Sequence, residues 1–232
     1  MTPRRRRGVE ILDGPEVPPE VRRRSLGDVA RSNTLFGGTS AVLSELTPLM
    51  REVRGRTVTL LDVGSGLGDI AARSRSIAAR SGCGLLTIGL EVSEALALAT
   101  RTVDLPVLLG DGLALPVRSK GVDIALCSQL LHHFEHEEAL LLLRELDRVA
   151  RLAVIVSDIR RSWIAAAGLW LASFPLRFHP VSRHDGVVSV LRGFTTSDLR
   201  ELVREALGQT PVVRRRRGFR TTAVWRPMRN RT

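Results

Sequence analysis

Short apolar runs alternate with amphipathic stretches along the middle of the chain. The apolar runs fit buried strands, and the stretches between them repeat apolar positions every three or four residues, as helices do. The helical period is clearest over residues 137–150, where Leu140, Leu143 and Leu146 share one face. Strands that alternate with helices form parallel sheets, so this order predicts an α/β domain. The strand-bearing segments are 58–63, 84–91, 107–112, 122–133, 152–156, 211–216 and 219–225.

The regions outside this alternation have other patterns. Residues 1–25 are rich in Pro and Arg and are predicted to be partly mobile, whereas residues 26–49 read as one or two helices interrupted at Gly37 and Gly38. We therefore expect a basic segment and helical cap over 1–50 and an α/β domain over 51–232.

An irregular insert is predicted at 158–194, between strand five and a helix that starts with a Thr195-x-x-Asp198 capping box. Its apolar stretch, 163–174, is too short to span a bilayer. That stretch would form either an ordinary packed helix or a lid over a hydrophobic substrate, and we favour the lid.

The segment after the first strand is the most informative one. Gly64, Gly66 and Gly68 alternate there, where the chain must turn tightly and let a ligand approach the backbone. A dinucleotide-binding turn would place its third glycine one residue later, and this chain has Asp69 there. Carboxylates on both sides of the turn, from Asp62 and Asp69, suit a ligand with a cationic end better than a diphosphate.

Acidic residues also end the next two strands. Glu91 ends the second strand about 20 residues after the turn, where α/β nucleotide-binding folds place an acid that accepts ribose hydroxyls. Asp111 ends the third strand. Ser93 is a good N-cap for the helix between them. Because the carboxyl ends of parallel strands meet at one edge of the sheet, we expect these acids to lie together.

As an ordered set, these segments resemble the class I S-adenosylmethionine-dependent methyltransferases over about residues 57–225. The resemblance implies a Rossmann-like, seven-stranded, mostly parallel sheet with helices on both faces and an antiparallel last strand. It implies S-adenosyl-L-methionine as the cofactor, and we predict no metal. The implied cofactor-binding residues are Asp62, Gly64, Ser65, Gly66, Gly68, Glu91, Val92, Asp111, Gly112 and Gln129.

A narrower resemblance bears on the acceptor. The chain looks most like the group that contains the ubiquinone and menaquinone methylases. Segments 28–38, 157–162 and 184–190 look like bacterial small-molecule methyltransferases found with type III polyketide synthases. This resemblance implies a small, hydrophobic aromatic or polyketide-type acceptor, with O-methylation favoured over C-methylation.

The candidate catalytic residues are His132, His133, His184 and Asp158. Methyl transfer asks the protein mainly to align the acceptor and remove its proton, and a histidine titrates near neutral pH. His132 and His133 follow strand four, and either one also fits a structural histidine. We place His133 slightly ahead. His184 could be a catalytic base that the neighbouring Asp185 orients. The two residues fit a loop turn somewhat better.

The net charge of +11 leaves other functions open, since the arginines form clusters. An RNA methyltransferase is the first alternative, and a non-catalytic partner protein that binds S-adenosylmethionine is the second. Two features argue against an RNA methyltransferase. The Asn/Asp-Pro-Pro-aromatic motif that positions the exocyclic amines of bases is absent where strand four ends, at Cys127, and the chain has no Tyr on which bases could stack. We expect a small-molecule acceptor, no nucleic acid and an open oligomeric state, with peripheral membrane contact possible through basic and apolar segments.

The cysteines and the N-terminus predict the cellular compartment of the protein. Cys83 and Cys127 have no metal-ligand spacing and read as small buried residues of a reducing compartment. The basic N-terminus has no apolar run of the kind found in signal peptides. We therefore expect a cytoplasmic protein.

Overall fold

A computed structural model describes residues 2–6, 8–14, 16–92 and 105–228 of the 232-residue chain. The strands are β1 Thr57–Val63, β2 Gly84–Glu91, β3 Val107–Leu109, β4 Val122–Ser128, β5 Ala150–Ile159, β6 Val212–Arg216 and β7 Arg220–Trp225. They form one seven-stranded sheet in the order β3-β2-β1-β4-β5-β7-β6. Strand β7 runs antiparallel to both of its neighbours, β5 and β6, and the other strand pairs of this sheet are parallel. The predicted sheet architecture is confirmed.

Helices cover both faces of the sheet, as predicted. They are α1 Pro19–Leu35, α2 Gly38–Glu52, α3 Asp69–Arg80, α4 His136–Val149, α5 Trp163–Ala172, α6 Pro180–Arg192 and α7 Thr196–Leu207. One core joins the sheet to α4 and α7 through residues such as Leu142 and Leu199, and the other joins it to α2 and α3 through Leu46 and Ile70. No helix of the described residues is long and apolar enough to cross a membrane.

The predicted helix boundaries are confirmed where a capping signal marked them. Thr195 Oγ1 accepts the Asp198 N–H at 3.1 Å, and the Thr195 N–H donates to Asp198 Oδ2 at 2.9 Å. Gly208 ends α7 with a φ of +67°, and Gly37 separates α1 from α2 with a φ of +79°. These backbone conformations favour glycine, which explains why the breaks were visible in the sequence.

The structure differs from the sequence prediction in two regions. Helix α1 begins at Pro19, inside the segment that was predicted to be mobile. The insert predicted as irregular contains α5 and α6. Helix α5 is apolar almost throughout, so it shows no helical period, and Gly186 with two valines weakens the pattern of α6. The helix predicted to open at Ser93 lies outside the described residues.

Candidate functional site

The turn after β1 is built by glycine conformations. Gly64, Gly66 and Gly68 have φ values of +72°, +55° and +71°, in the left-handed region that glycine adopts most easily. A Cβ atom at Gly64 would lie 2.9 Å from Leu130 Cδ2, whereas one at Gly66 would meet no atom within 4 Å. Ser65, between them, is buried. The turn is therefore packed on one side and open at Gly66.

Asp62 is a buried carboxylate just before this turn. Its side chain is only 1% exposed, and its Oδ2 has no hydrogen-bond partner among the described residues. Burial, together with the charges of Asp69 and Glu91, raises the pKa of Asp62 to about 8. A buried carboxylate without a partner costs free energy, and a cationic ligand would supply what it lacks. This site therefore fits a cofactor with a cationic end.

Glu91 lies directly beside the turn. Strands β1 and β2 pair with Val63 opposite Leu90. Glu91, the next residue of β2, therefore lies beside the start of the turn at the carboxyl edge of the sheet. The Gly66 N–H donates to Glu91 Oε1. Burial raises the pKa of Glu91, and the hydrogen bond from Gly66 opposes that rise. The structure thus brings Asp62, the glycine turn and Glu91 together, as the sequence predicted.

The other predicted cofactor-binding residues are more widely spread. Val92 is 78% exposed after β2. Asp111 is exposed, and its Oδ1 accepts the Leu113 N–H at 2.8 Å, so its carboxylate holds a local turn. Gly112 is buried in the same turn. These residues follow β2 and β3 at the expected edge of the sheet, but no hydrogen bond between described residues joins the Asp111 carboxylate to the glycine turn.

An apolar cavity of about 400 Å³ opens beyond the carboxyl ends of β4 and β5. The N-terminal segment, α1, α5, α6 and the β6–β7 turn form its walls. Its volume is in the range of small-molecule sites, which are mostly apolar with a few polar groups. Apolar side chains that line it include Leu12, Val29, Phe36, Ile164, Leu169 and Phe178.

His132 faces this cavity from a 3-10 turn after β4. Its Nδ1 lies 2.7 Å from Asp158 Oδ1, and its backbone N–H donates to Asp158 Oδ2 at 3.0 Å. Burial would raise the pKa of Asp158, yet the charge and hydrogen bond of His132 hold that pKa below its ordinary value. His132 Nε2 is buried without a hydrogen-bond partner among the described residues. This is the geometry of a base held in place by a carboxylate.

His133 is turned toward the N-terminal segment. Its Nδ1 lies 3.5 Å from Asp13 Oδ2, and its Nε2 lies 4.0 Å from Glu10 Oε2. Burial would lower the pKa of His133, but the hydrogen bond to Asp13 and the charges of Glu10 and Asp13 raise it overall. Its carbonyl also accepts from Arg192 at 2.9 Å. Both histidines line the cavity, but His132 is paired with Asp158 whereas His133 contacts the N-terminal segment.

His184 lies apart from this histidine pair. It is on α6, its ring is half-exposed, and its Nδ1 is 2.8 Å from Asp185 Oδ1. Asp185 in turn accepts the backbone N–H groups of Ile11 and Leu12 at 2.8 and 2.9 Å. Asp185 lines the cavity and His184 does not. The pair is thus placed to anchor the N-terminal segment across the cavity.

Comparisons with known proteins agree with this fold. Residues 61–155 match the model of a family described as a methyltransferase domain. Residues 61–155 therefore carry a methyltransferase domain. The matched range begins within β1, before the glycine turn, and ends within β5. It therefore contains the turn, Glu91 and the histidine pair. The comparison with curated proteins gives no match.

Solved structures with this fold cover most of the chain. A SAM-dependent methyltransferase from Aquifex aeolicus is 16% identical and has a TM-score of 0.61, over 90% of this chain and 98% of that one. Magnesium protoporphyrin IX methyltransferase from Synechocystis, solved with bound SAH, is 17% identical and has a TM-score of 0.57. The match covers 88% of this chain and 91% of that one. A possible histamine N-methyltransferase from Thermotoga maritima is 18% identical and has a TM-score of 0.55, over 88% of this chain and 97% of that one. At these identities the likeness shows the fold alone.

Two residues of this methyltransferase site were missed by sequence reasoning. Glu10 is 5% exposed, and its Oε1 accepts the Ser189 hydroxyl at 2.8 Å. Arg220 is also 5% exposed, and both residues line the cavity. Neither has a local signal, because Glu10 lies in a segment without periodicity and Arg220 is one of many arginines. Only the tertiary fold brings them to the site.

Glu10 also creates a set of donor atoms that could hold a metal. One ligand atom each from Glu10, His132 and His133 lie within 4.8 Å of one another. Two imidazoles and a carboxylate are ligands that divalent metals use. Glu10 Oε1 is 3.9 Å from His132 Nε2, but it also lies 3.3 Å from Arg192 Nη1, so a cation already faces this carboxylate.

Proposed function

We propose that this methyltransferase acts on a small, hydrophobic aromatic or polyketide-type acceptor and that it methylates oxygen in preference to carbon. The observation that carries the proposal is the apolar cavity with His132 Nε2 on its wall. Gln129 lines the cavity, and its neighbour Leu130 lies beside Gly64 of the glycine turn. A molecule in the cavity would thus lie next to the candidate cofactor site.

We propose that the glycine turn and the acids around it hold the cofactor. When bound, S-adenosylmethionine supplies a methyl group that its sulfonium already activates. Asp62 is the candidate partner for the cationic end, and Glu91 is the candidate acceptor for the ribose hydroxyls. The remaining candidates are Gly64, Ser65, Gly66, Gly68, Val92, Asp111 and Gly112. Gln129, which was predicted with them, lines the apolar cavity, so we assign it to the acceptor side of the site.

His132 is the proposed base. Asp158 accepts a hydrogen bond from Nδ1, which fixes the proton there and leaves Nε2 as an acceptor on the cavity wall. Nε2 would take the proton of an acceptor hydroxyl as its oxygen is methylated. His133 is proposed to hold the N-terminal segment over the cavity, through Asp13 and Glu10.

The test uses purified protein, isotope-labelled S-adenosylmethionine and separate acceptor pools. We expect aromatic polyketide or quinone precursors to gain one methyl mass, read by mass spectrometry. Methylation of bulk RNA without any aromatic product would favour the RNA alternative. Calorimetric binding of S-adenosylmethionine without transfer to any pool would favour the non-catalytic alternative.

We also propose that α5 contacts an anionic membrane surface from the cytoplasm. Its exposed side chains include Ile164 at 65%, Trp170 at 48% and Leu171 at 61%, on a protein with a net charge of +11. An apolar face on a basic protein suits the interface of anionic lipids. Co-sedimentation with anionic vesicles that Trp170→Ser weakens would support this contact, and equal recovery with neutral vesicles would contradict it.

A further inference from the structure

Two buried nitrogen donors on the cavity wall have no hydrogen-bond partner among the described residues. They are Nε of Arg220 and Nε2 of Gln129, and both residues line the cavity. Buried donors are almost always paired, because an unpaired one loses its bonds to water and gains nothing in exchange. The cavity wall therefore carries donors that lack a hydrogen-bond acceptor.

Arg220 also lacks a close ion-pair partner among the described residues. No carboxylate of the described residues lies within 4.0 Å of its guanidinium, and Nη1 donates only to the Gly218 carbonyl, at 3.3 Å. Burial lowers the pKa of Arg220 to about 10, although the charge of Asp158 opposes this. The two Asp158 oxygens already accept from His132 and the Ile159 N–H.

A second buried arginine shows how the fold satisfies such a group elsewhere. Arg161 is 7% exposed, and its guanidinium pairs with Asp198 at 2.9 Å. It also donates to the carbonyls of Pro3 and Gly193, at 2.8 and 2.7 Å. Arg161 faces protein, whereas Arg220 faces an apolar cavity. The difference indicates that the partner of Arg220 comes from outside the chain.

We infer that the methyl acceptor carries a carboxylate, which Arg220 and Gln129 bind. A carboxylate has two acceptor oxygens and a single charge, so it matches one guanidinium and one amide donor. A phosphate dianion would bring a second charge that no other unpaired cation of the described cavity wall offsets. A neutral acceptor would leave the buried guanidinium unpaired. The inference rests on the proposed function, because it assigns the chemical class of the acceptor in the same cavity.

The position of Arg220 agrees with a separate hydroxyl that receives the methyl group. Arg220 begins β7 opposite Ile159, next to Asp158, and His132 follows β4 on the other side of β5. A hydroxyl at His132 Nε2 and a carboxylate at Arg220 can therefore belong to one small molecule. The apolar walls would hold the rest of that molecule.

The test compares 1-hydroxy-2-naphthoate with its methyl ester, by calorimetry in the presence of S-adenosylhomocysteine. The two probes share one ring system and differ in charge. We expect the acid to bind about 10- to 100-fold more tightly to the natural protein. Arg220→Gln should remove most of this difference, because it loses the affinity for the acid and keeps that for the ester. Arg220→Lys, which keeps the charge, should retain part of it.

Arg215→Gln is the matched control, since Arg215 is exposed on the same hairpin and does not line the cavity. It should leave both affinities unchanged. If Arg220→Gln does not fold, Gln129→Glu serves in its place. That variant keeps the shape but places a carboxylate against the ligand, so it should weaken binding of the acid alone. Equal binding of acid and ester to the natural protein overturns the inference, as does an equal effect of Arg215→Gln.

These outcomes separate the inference from the proposed function. If the protein methylates 1-naphthol but shows no preference for the acid, the inference fails and the proposed function stands. If the acid binds through Arg220 and no acceptor is ever methylated, the proposed function fails and the carboxylate site stands.

Discussion

Two aspartates end up equally buried on this sheet but in opposite surroundings. Asp62, at the end of β1, has an oxygen without a partner, and burial raises its pKa to about 8. Asp158, near the end of β5, bonds His132 and two backbone N–H groups. Its pKa is lowered, because His132 and the Ile159 N–H together outweigh the effect of burial. Burial alone thus does not decide the charge of a carboxylate.

The difference suggests two kinds of site in one enzyme. The Asp158–His132 pair is complete within the chain, so it can position a base before any ligand arrives. Asp62 is incomplete, and a cationic ligand would complete it. The base would then be preorganised, while Asp62 would exchange stability for ligand binding. The predictions below test that contrast.

The largest expected effect is on turnover at His132. We expect His132→Gln to lower kcat by about 10³-fold, because it removes a proton acceptor that Asp158 holds in place. Affinity for S-adenosylmethionine should hardly change. The measurement is steady-state kinetics of methyl transfer alongside calorimetry of cofactor binding.

The neighbouring histidine is the control for that experiment. His133→Gln should have a much smaller effect on kcat, since its ring faces Asp13 and Glu10. If His133→Gln is the more damaging variant and His132→Gln is nearly normal, the base has been assigned to the wrong histidine. Loss of both kcat and thermal stability in His132→Gln would instead indicate a structural histidine.

The next effect is on cofactor affinity at Glu91. Glu91→Ala should weaken S-adenosylmethionine binding by about 2–4 kcal/mol, because two charge-assisted bonds to the ribose hydroxyls would be lost. Glu91→Gln separates this loss from any change in the turn, since its amide oxygen can still accept the Gly66 N–H. Calorimetry that gives the natural affinity for Glu91→Ala would remove Glu91 from the cofactor site.

A smaller effect is expected on stability at Asp62. Its folded pKa of about 8 lies above the unfolded value of 3.8, so the folded state holds a proton that the unfolded state releases. Stability of the ligand-free protein should therefore fall as pH rises between these values. Asp62→Asn carries no such charge, so its advantage in stability over the natural protein should grow from pH 5 to pH 8.

Urea unfolding at both pH values measures this advantage, and calorimetry of the same variant should show weaker binding of S-adenosylmethionine. A stability difference that does not change with pH would mean that Asp62 is already paired in the free protein. If Asp62→Asn gains stability and loses affinity for S-adenosylmethionine, the Asp62 carboxylate serves ligand binding at the expense of stability.

The cofactor side was predictable because its signals are local. Gly64, Gly66 and Gly68 all adopt positive φ, and that need is visible in the residue type itself. Glu91 could be placed because strand β2 ends there and parallel strands share an edge. One strand–turn–helix unit and the next strand contain most of this information.

The acceptor side was predicted only in part, because it is assembled from distant segments. Glu10 and Arg220 lie near opposite ends of the chain, and no periodicity links them. Helix α5 is apolar almost throughout, so its pattern gave neither its period nor its cavity-facing side. The choice between His132 and His133 depends on the 3-10 turn after β4 and on Asp158, which strand alternation does not specify.

The smallest effect concerns metal removal. Glu10, His132 and His133 form a possible ligand set, but Arg192 Nη1 lies 3.3 Å from Glu10 Oε1, and the Ser189 hydroxyl donates to the same oxygen. A metal ion there would have to displace or face that guanidinium, which opposes its binding. We therefore expect dialysis against a chelator to leave kcat and the melting temperature unchanged, measured before and after adding back zinc or manganese. A loss of activity that one metal restores, and that Glu10→Gln abolishes, would show that His132 serves as a ligand and that the base must be sought elsewhere.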